Sequence, residues 1–271
     1  MWRKMDCTLL FSISALLLSH SFTALVLPSN QDDGMDIFSR ILEANKDISD
    51  MLLEGDINLP KTKNAMKCLN DYCKWPKSSS GLVEVPYTVA SDYYDHERAV
   101  IEDAMKSFAA KTCIRFVPRT NQLDYISIVN QIGCSSNVGR AGGKQETFLS
   151  VSGCISHGVI QHELMHNLGF YHEHTRSDRD QYVRINWENI AQGAVNNFKK
   201  QDTNNLNTPY DYNSIMHYGR TAFALVYGKE TITPIPNSSV QIGQRVEMSN
   251  IDVLKINKLY LCGEDMMHIK S

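Results

Sequence analysis

The sequence predicts an α+β domain, and three observations carry that reading. Stretches of strand-like and helix-like periodicity alternate through the first half, the second half is poor in both, and a histidine-dense stretch of helical spacing lies between them. The alternation suggests a twisted sheet with that helix packed on it, and the second half reads as mostly irregular.

The chain opens on the basic residues Met1-Trp2-Arg3-Lys4, is apolar from Thr8 to about Leu18, and reaches small residues near Ser21 to Ala24. That layout is a cleavable secretory leader over 1–24. The apolar run is shorter than the roughly 20 residues of a membrane span, and no later stretch approaches one, so an exported protein without a membrane partner is expected. Residues 25–63 read as a pro-segment. Apolar residues at near-helical spacing (Ile37, Ile41, Leu42, Ile48, Leu52) predict a helix over 36–53, broken at Gly55-Asp56 and Pro60. Lys61-Thr62-Lys63 then offers a basic site suited to a trypsin-like activating protease, leaving 64–271 as the mature domain.

Within that domain the patterns predict a strand over 82–89, a helix over 95–111 (Val100, Ile101, Ala104, Met105, Phe108), strands over 114–117, 125–129 and 146–151, and a helix over 156–168. A closing helix is signalled by Ser249 and Asp252 at capping-box spacing. Cys7 leaves with the leader, so Cys68, Cys73, Cys113, Cys134, Cys154 and Cys262 remain. An even count in an exported chain suggests disulfides, and six cysteines allow 15 pairings that spacing does not choose among. The net charge of -3 gives no basic field and so no footing for nucleic acid. Asn237-Ser238-Ser239 is an acceptor pattern for N-glycosylation in an exported chain.

The most informative stretch is His162-Glu163-Leu164-Met165-His166-Asn167-Leu168-Gly169-Phe170-Tyr171-His172. On a helix of ~3.6 residues per turn, positions four apart lie above one another, so His162 and His166 offer their imidazoles to one point with Glu163 beside them. A helix continued to His172 would carry the third ring away. Gly169 can take positive φ and turn the chain back, letting His172 complete a tripod. Three protein ligands with one open position mark a catalytic rather than a structural zinc site, and Glu163 is placed to act as general base on water attacking a peptide carbonyl. Further on, Met216 reads either as a gap-filling core residue or as an apolar floor beneath the histidines.

The run from His162 to His172, the following Glu173, the Thr-Arg-Ser-Asp-Arg-Asp segment at 175–180 and Ser214-Ile215-Met216-His217-Tyr218 together resemble the astacin family of metzincins, over nearly everything from residue 82 to 262. The resemblance implies an astacin-like metzincin fold, with an N-terminal lobe built on a twisted, mostly parallel sheet and the zinc-site helix, a deep active-site cleft and an irregular C-terminal lobe, together with zinc endopeptidase activity and one Zn2+ per chain. It implies that Tyr218 is a further zinc ligand that swings away to hydrogen-bond the oxyanion, the alternative being a core tyrosine. It implies the pairs Cys113 with Cys262 and Cys134 with Cys154, which leaves Cys68 to join Cys73. Leu53-Glu54-Gly55-Asp56 resembles the family's aspartate switch, in which a carboxylate takes the water site on zinc in the zymogen; Leu53 stands where the family favours phenylalanine, and a simple Gly-Asp turn is the alternative. A terminus freed at Asn64 would, by the same likeness, lie near Glu173. The start at Asn64-Ala65-Met66-Lys67-Cys68 and the extra cysteine pair most resemble the fish hatching enzymes, the choriolysins, and six-cysteine relatives such as nephrosin. That likeness implies a monomer, secreted from storage granules, acting on egg-envelope glycoproteins. An extracellular protease of another tissue is the alternative. An inactive zinc-binding protein is another; it would have lost Glu163 or a histidine, and all four residues are present.

Overall fold

The computed structural model describes residues 35–59, 71–244 and 246–263. The leader, the basic site at 61–63, Asn64 and Cys68 lie outside the described residues.

The first element is shorter than its periodicity predicts. Helix α1 spans Ile37–Asn45, capped where Asp36 Oδ1 accepts the Ser39 N–H, and it buries Ile37, Phe38 and Ile41. The chain then leaves the helical path because Asn45 is used elsewhere: its Nδ2 donates to the carbonyls of Gly55 and Cys134, and its Oδ1 accepts from Cys134 N. Ile48 and Leu52 therefore do not continue the helix. A short 3-10 turn at Ser49–Met51 leads instead into a hairpin of β1 (Leu52–Leu53) and β2 (Ile57–Asn58).

The main sheet comprises β3 (Val83–Val89), β4 (Ile114–Pro118), β5 (Tyr125–Val129), β6 (Cys134–Ser135) and β7 (Lys144–Leu149), in the order β4-β3-β5-β7-β6. All pairings are parallel except the edge pair of β6 with β7. Parallel strands need crossovers, and helix α2 (Asp95–Lys111) supplies the one from β3 to β4. Its acidic first turn and terminal Lys111 suit the helix dipole, while Ile101, Ala104, Met105 and Phe108 are buried. Each large apolar side chain so buried contributes about 1.5–3 kcal/mol. Helix α3 (His157–Asn167) packs against α2 and β6.

Among the described residues beyond α3 the chain is mostly turns and 3-10 segments, with one two-stranded pair, β8 (Val183–Ile185) with β9 (Ile232–Pro234), and one further helix, α4 (Asn250–Leu259). Ser249 caps α4 by accepting from Ile251 N and Asp252 N, and Asp252 returns a bond to Ser249 N. Disulfides join Cys113 to Cys262, fastening the end of the chain to the start of β4, and Cys134 to Cys154, fastening β6 to the approach of α3. Among the described residues no helix is long and apolar enough to cross a membrane.

Candidate metal centre

Helix α3 is fixed to the sheet by Asn167, whose Nδ2 donates to Thr147 Oγ1 on β7 and whose Oδ1 accepts from Gln145 Nε2. Its C-terminal carbonyls, buried and without partners in the helix, find them elsewhere: Asn167 O accepts from Trp75 Nε1 and Leu168 O from Tyr260 Oη. Gly169, at φ +106°, ends the helix in a Schellman arrangement, with Phe170 N donating to Met165 O and Gly169 N to His166 O. The reversal brings the next ring back over the helix, so that His162, His166 and His172 meet Asp56 from the β1–β2 hairpin in one fully buried group.

The donor geometry is that of a metal cage. Asp56 Oδ2 lies 2.9 Å from His162 Nε2 and 3.2 Å from His172 Nε2, the two Nε2 atoms are 3.2 Å apart, and Asp56 Oδ1 is 3.4 Å from His166 Nε2. Ligands about 2.0–2.1 Å from a tetrahedral zinc stand roughly 3.3–3.4 Å from one another, which is this spacing. The outer nitrogens are engaged. His162 Nδ1 bonds Ile215 O at 2.9 Å, His166 Nδ1 bonds Phe170 O at 2.6 Å, and His172 Nδ1 bonds Glu54 Oε2 at 2.7 Å. Acceptors at each Nδ1 place its proton there and turn the Nε2 lone pairs inward. Two of the inward atoms, Asp56 Oδ1 and His166 Nε2, are buried without a hydrogen-bond partner, a cost that a cation at the centre removes. Burial would lower the His172 imidazole, yet carboxylates on both its sides raise it to about 9, so the pocket favours positive charge at this point whether carried by a proton or a metal. Burial also works to raise the Asp56 carboxyl; the imidazoles of His172, His166 and His162 outweigh it and hold Asp56 well below the usual carboxylate range. Residues and spacing thus fit one zinc ion.

Glu163 is buried beside this group. Its Oε2 accepts from Ser136 Oγ at 2.7 Å, while Oε1 has no partner. Burial, and after it the Asp56 carboxylate, push its carboxyl well above the ordinary range, and only the Ser136 hydroxyl opposes them. Met216 is buried in the turn whose neighbouring carbonyl, Ile215 O, receives His162; its own carbonyl receives Glu173 N. Tyr218 is fully buried, its ring between Phe38 at 3.7 Å and His174 at 3.6 Å between centroids, and its hydroxyl donates to Glu54 O at 2.6 Å. Glu173 stands apart from the imidazoles' inner face: Oε1 accepts from Arg176 Nη1 and Asp211 N, and Oε2 from Lys255 Nζ. Asn237 is exposed, its Oδ1 turned onto Ser239.

Several working residues take partners that the sequence does not point to. Glu54 touches His172 and Gln201, Ser136 holds Glu163, and Asp252 accepts from Ser214 Oγ and Ile215 N, steadying the turn under His162. Glu54, a charged residue between leucine and glycine in an apolar stretch, could have been suspected; Ser136, in a run of polar residues, could not.

Comparison with known proteins agrees with this geometry. The peptidase family described as Astacin matches residues 69–261. High choriolytic enzyme 1 of Oryzias latipes is 58% identical over 231 residues, covering 85% of this chain and 86% of that one, and low choriolytic enzyme of the same fish is 58% identical over 229 residues, covering 84% of each. An astacin-like metalloendopeptidase of Gallus gallus is 50% identical, covering 83% of this chain and 55% of its own length. The solved structure of high choriolytic enzyme 1, a hatching enzyme zinc-protease from medaka, superposes with a TM-score of 0.71 at 60% identity, over 73% of this chain and all of that one. Metal cage, fold and sequence agree, and the chain belongs to the astacin family as a zinc metalloendopeptidase.

Proposed function

We propose that the chain is exported as a latent precursor, that residues 25–63 are its pro-segment, and that the processed enzyme hydrolyses egg-envelope protein. The observation that supports latency is the seat of Asp56: its carboxylate lies among the three Nε2 atoms, where the fourth ligand of a zinc ion would stand. The support for the substrate is the family position, since relatives named choriolytic enzymes align over most of both chains.

In this reading His162, His166 and His172 hold the zinc throughout, and Asp56 holds it only in the precursor. When bound, zinc supplies Lewis acidity, making a water more acidic and stabilising negative charge on a substrate carbonyl oxygen. Glu163 accepts the proton of the attacking water through Oε1, the oxygen with no hydrogen-bond partner, while Ser136 fixes Oε2. As the carbon–nitrogen bond breaks, Glu163 returns that proton to the departing amine. Removal of the pro-segment withdraws the Asp56 charge that raises Glu163, which moves the carboxyl toward the ionised form a base needs. Tyr218, released from Glu54 O and from Phe38, becomes free to donate to the oxyanion. Asn237, exposed and in an acceptor pattern, is the proposed glycan site.

Treating purified precursor with trypsin tests the proposal. Cleavage after Lys63 is expected to start hydrolysis of a peptide substrate and of isolated fish egg envelope. Peptide cleavage with an intact envelope would overturn the substrate assignment; activity equal before and after trypsin would overturn latency.

A further inference from the structure

The edge segment 132–136, which contains strand β6, leads from the catalytic centre to an apolar cavity. At its near end Ser136 holds Glu163, and Ser136 is also the residue that the 35–59 segment pairs with: Asn58 N donates to Ser136 O at 2.8 Å and Ser136 N to Asp56 O at 3.0 Å. An edge strand freed of such a partner presents the same N–H and C=O groups to an extended peptide. At its far end lies a cavity of about 720 Å³. On the domain side it is walled by Gln131, Ile132 and Phe148, and on the other by Met51, Leu52 and Leu59; none of its lining residues is charged.

We propose that Ile132 and Phe148 form a specificity subsite that takes an aliphatic side chain of the protein substrate. The proposal rests on the endopeptidase reading and on removal of residues 35–59. The segment that forms the opposite wall shows which chemistry suits this surface, because it presents methionine and leucine there. Both sides stay partly open in the precursor, with Ile132 66%, Met51 63% and Leu59 57% exposed, so the wall is not a sealed core that needs those side chains to fold. Ile132 precedes Ser136 by four residues, at most roughly 13 Å along an extended strand, which sets the recognised side chain a few residues from the scissile bond. The partner is thus a polypeptide with an aliphatic residue at that distance, and a charged residue there is disfavoured because desolvating it against isoleucine and phenylalanine has no compensation.

The test uses processed enzyme and a series of equal-length peptides that differ only at single positions two to five residues from the cleaved bond, carrying Leu, Asp or Lys. The wild type is expected to prefer Leu over Asp at one of these positions by about tenfold or more, expressed in KM. Ile132→Asp is expected to abolish that preference and to favour Lys at the same position, and Ile132→Ser to reduce it, with zinc content unchanged in both. A Leu-to-Asp ratio the same in all three enzymes would overturn the subsite. A wild type that cleaves none of the peptides would overturn the endopeptidase reading and the subsite with it.

Discussion

Helix α3 and the 35–59 segment converge on one buried point by different physics. The helix delivers His162 and His166 through local spacing, and Gly169 returns His172 by a turn that needs only its own neighbours. The segment delivers Asp56 through contacts far apart in sequence: Asn45 to Cys134, Asn58 to Ser136, Glu54 to His172, Phe38 to Tyr218. One is a rigid part of the domain core, and the other is seated on it by replaceable contacts. On the proposed reading, the metal site that outlasts activation sits on the first, and the plug that leaves sits on the second.

Four substitutions break or sharpen this contrast. Glu163→Gln in processed enzyme is expected to lower kcat by on the order of 10²- to 10⁴-fold with zinc bound as before, since it removes the proton acceptor and keeps the shape; steady-state kinetics beside metal analysis checks it. Asp56→Ala in the full precursor is expected to raise activity before processing by on the order of 10²-fold, because it breaks a buried charge contact. A precursor that stays silent would shift latency from the carboxylate to the mere bulk of the hairpin. Asn45→Ala removes three hydrogen bonds, none of them to a zinc ligand, and leaves Cys134 N, Cys134 O and Gly55 O unpaired, costing about 1–3 kcal/mol. The expected result is an order of tenfold more background activity and faster nicking of the 35–59 segment, with zinc content unchanged. Gly169→Ala keeps every contact, since the added Cβ meets only Leu259 Cδ2 at 3.8 Å, yet it forces φ +106° on an alanine. A loss of about 1–2 kcal/mol is expected, seen as a Tm lower by roughly 2–8 °C.

The same contrast decides what is legible in the sequence. Helices α2 and α3 and strands β3, β4 and β5 carry their own periodicity and appear within about a residue of the ranges the pattern predicts, and α4 starts at the Ser249 cap that signals it. The pattern over-extends helix α1 because its apolar spacing continues past Asn45, while the side chain of Asn45 is committed to a strand 89 residues away. Edge strand β6 has two residues and no periodicity to detect. The histidines and Glu163 are legible because four-residue spacing on a helix is a statement about direction. Ser136 and His174 are not, and Glu54 shows only as a charge in an apolar stretch, because each acts through a neighbour that only the folded chain supplies. In the unprocessed chain Glu173 gives both its oxygens to Arg176, Asp211 and Lys255, partners that its place in the motif does not announce.

Zinc-edge X-ray absorption with metal analysis, on the precursor and on the trypsin-processed enzyme, tests the account most directly. One zinc per chain is expected in both, with three imidazoles throughout and a carboxylate oxygen from Asp56 present only before processing. A precursor without bound zinc, or a zinc held by fewer than three imidazoles, would contradict it.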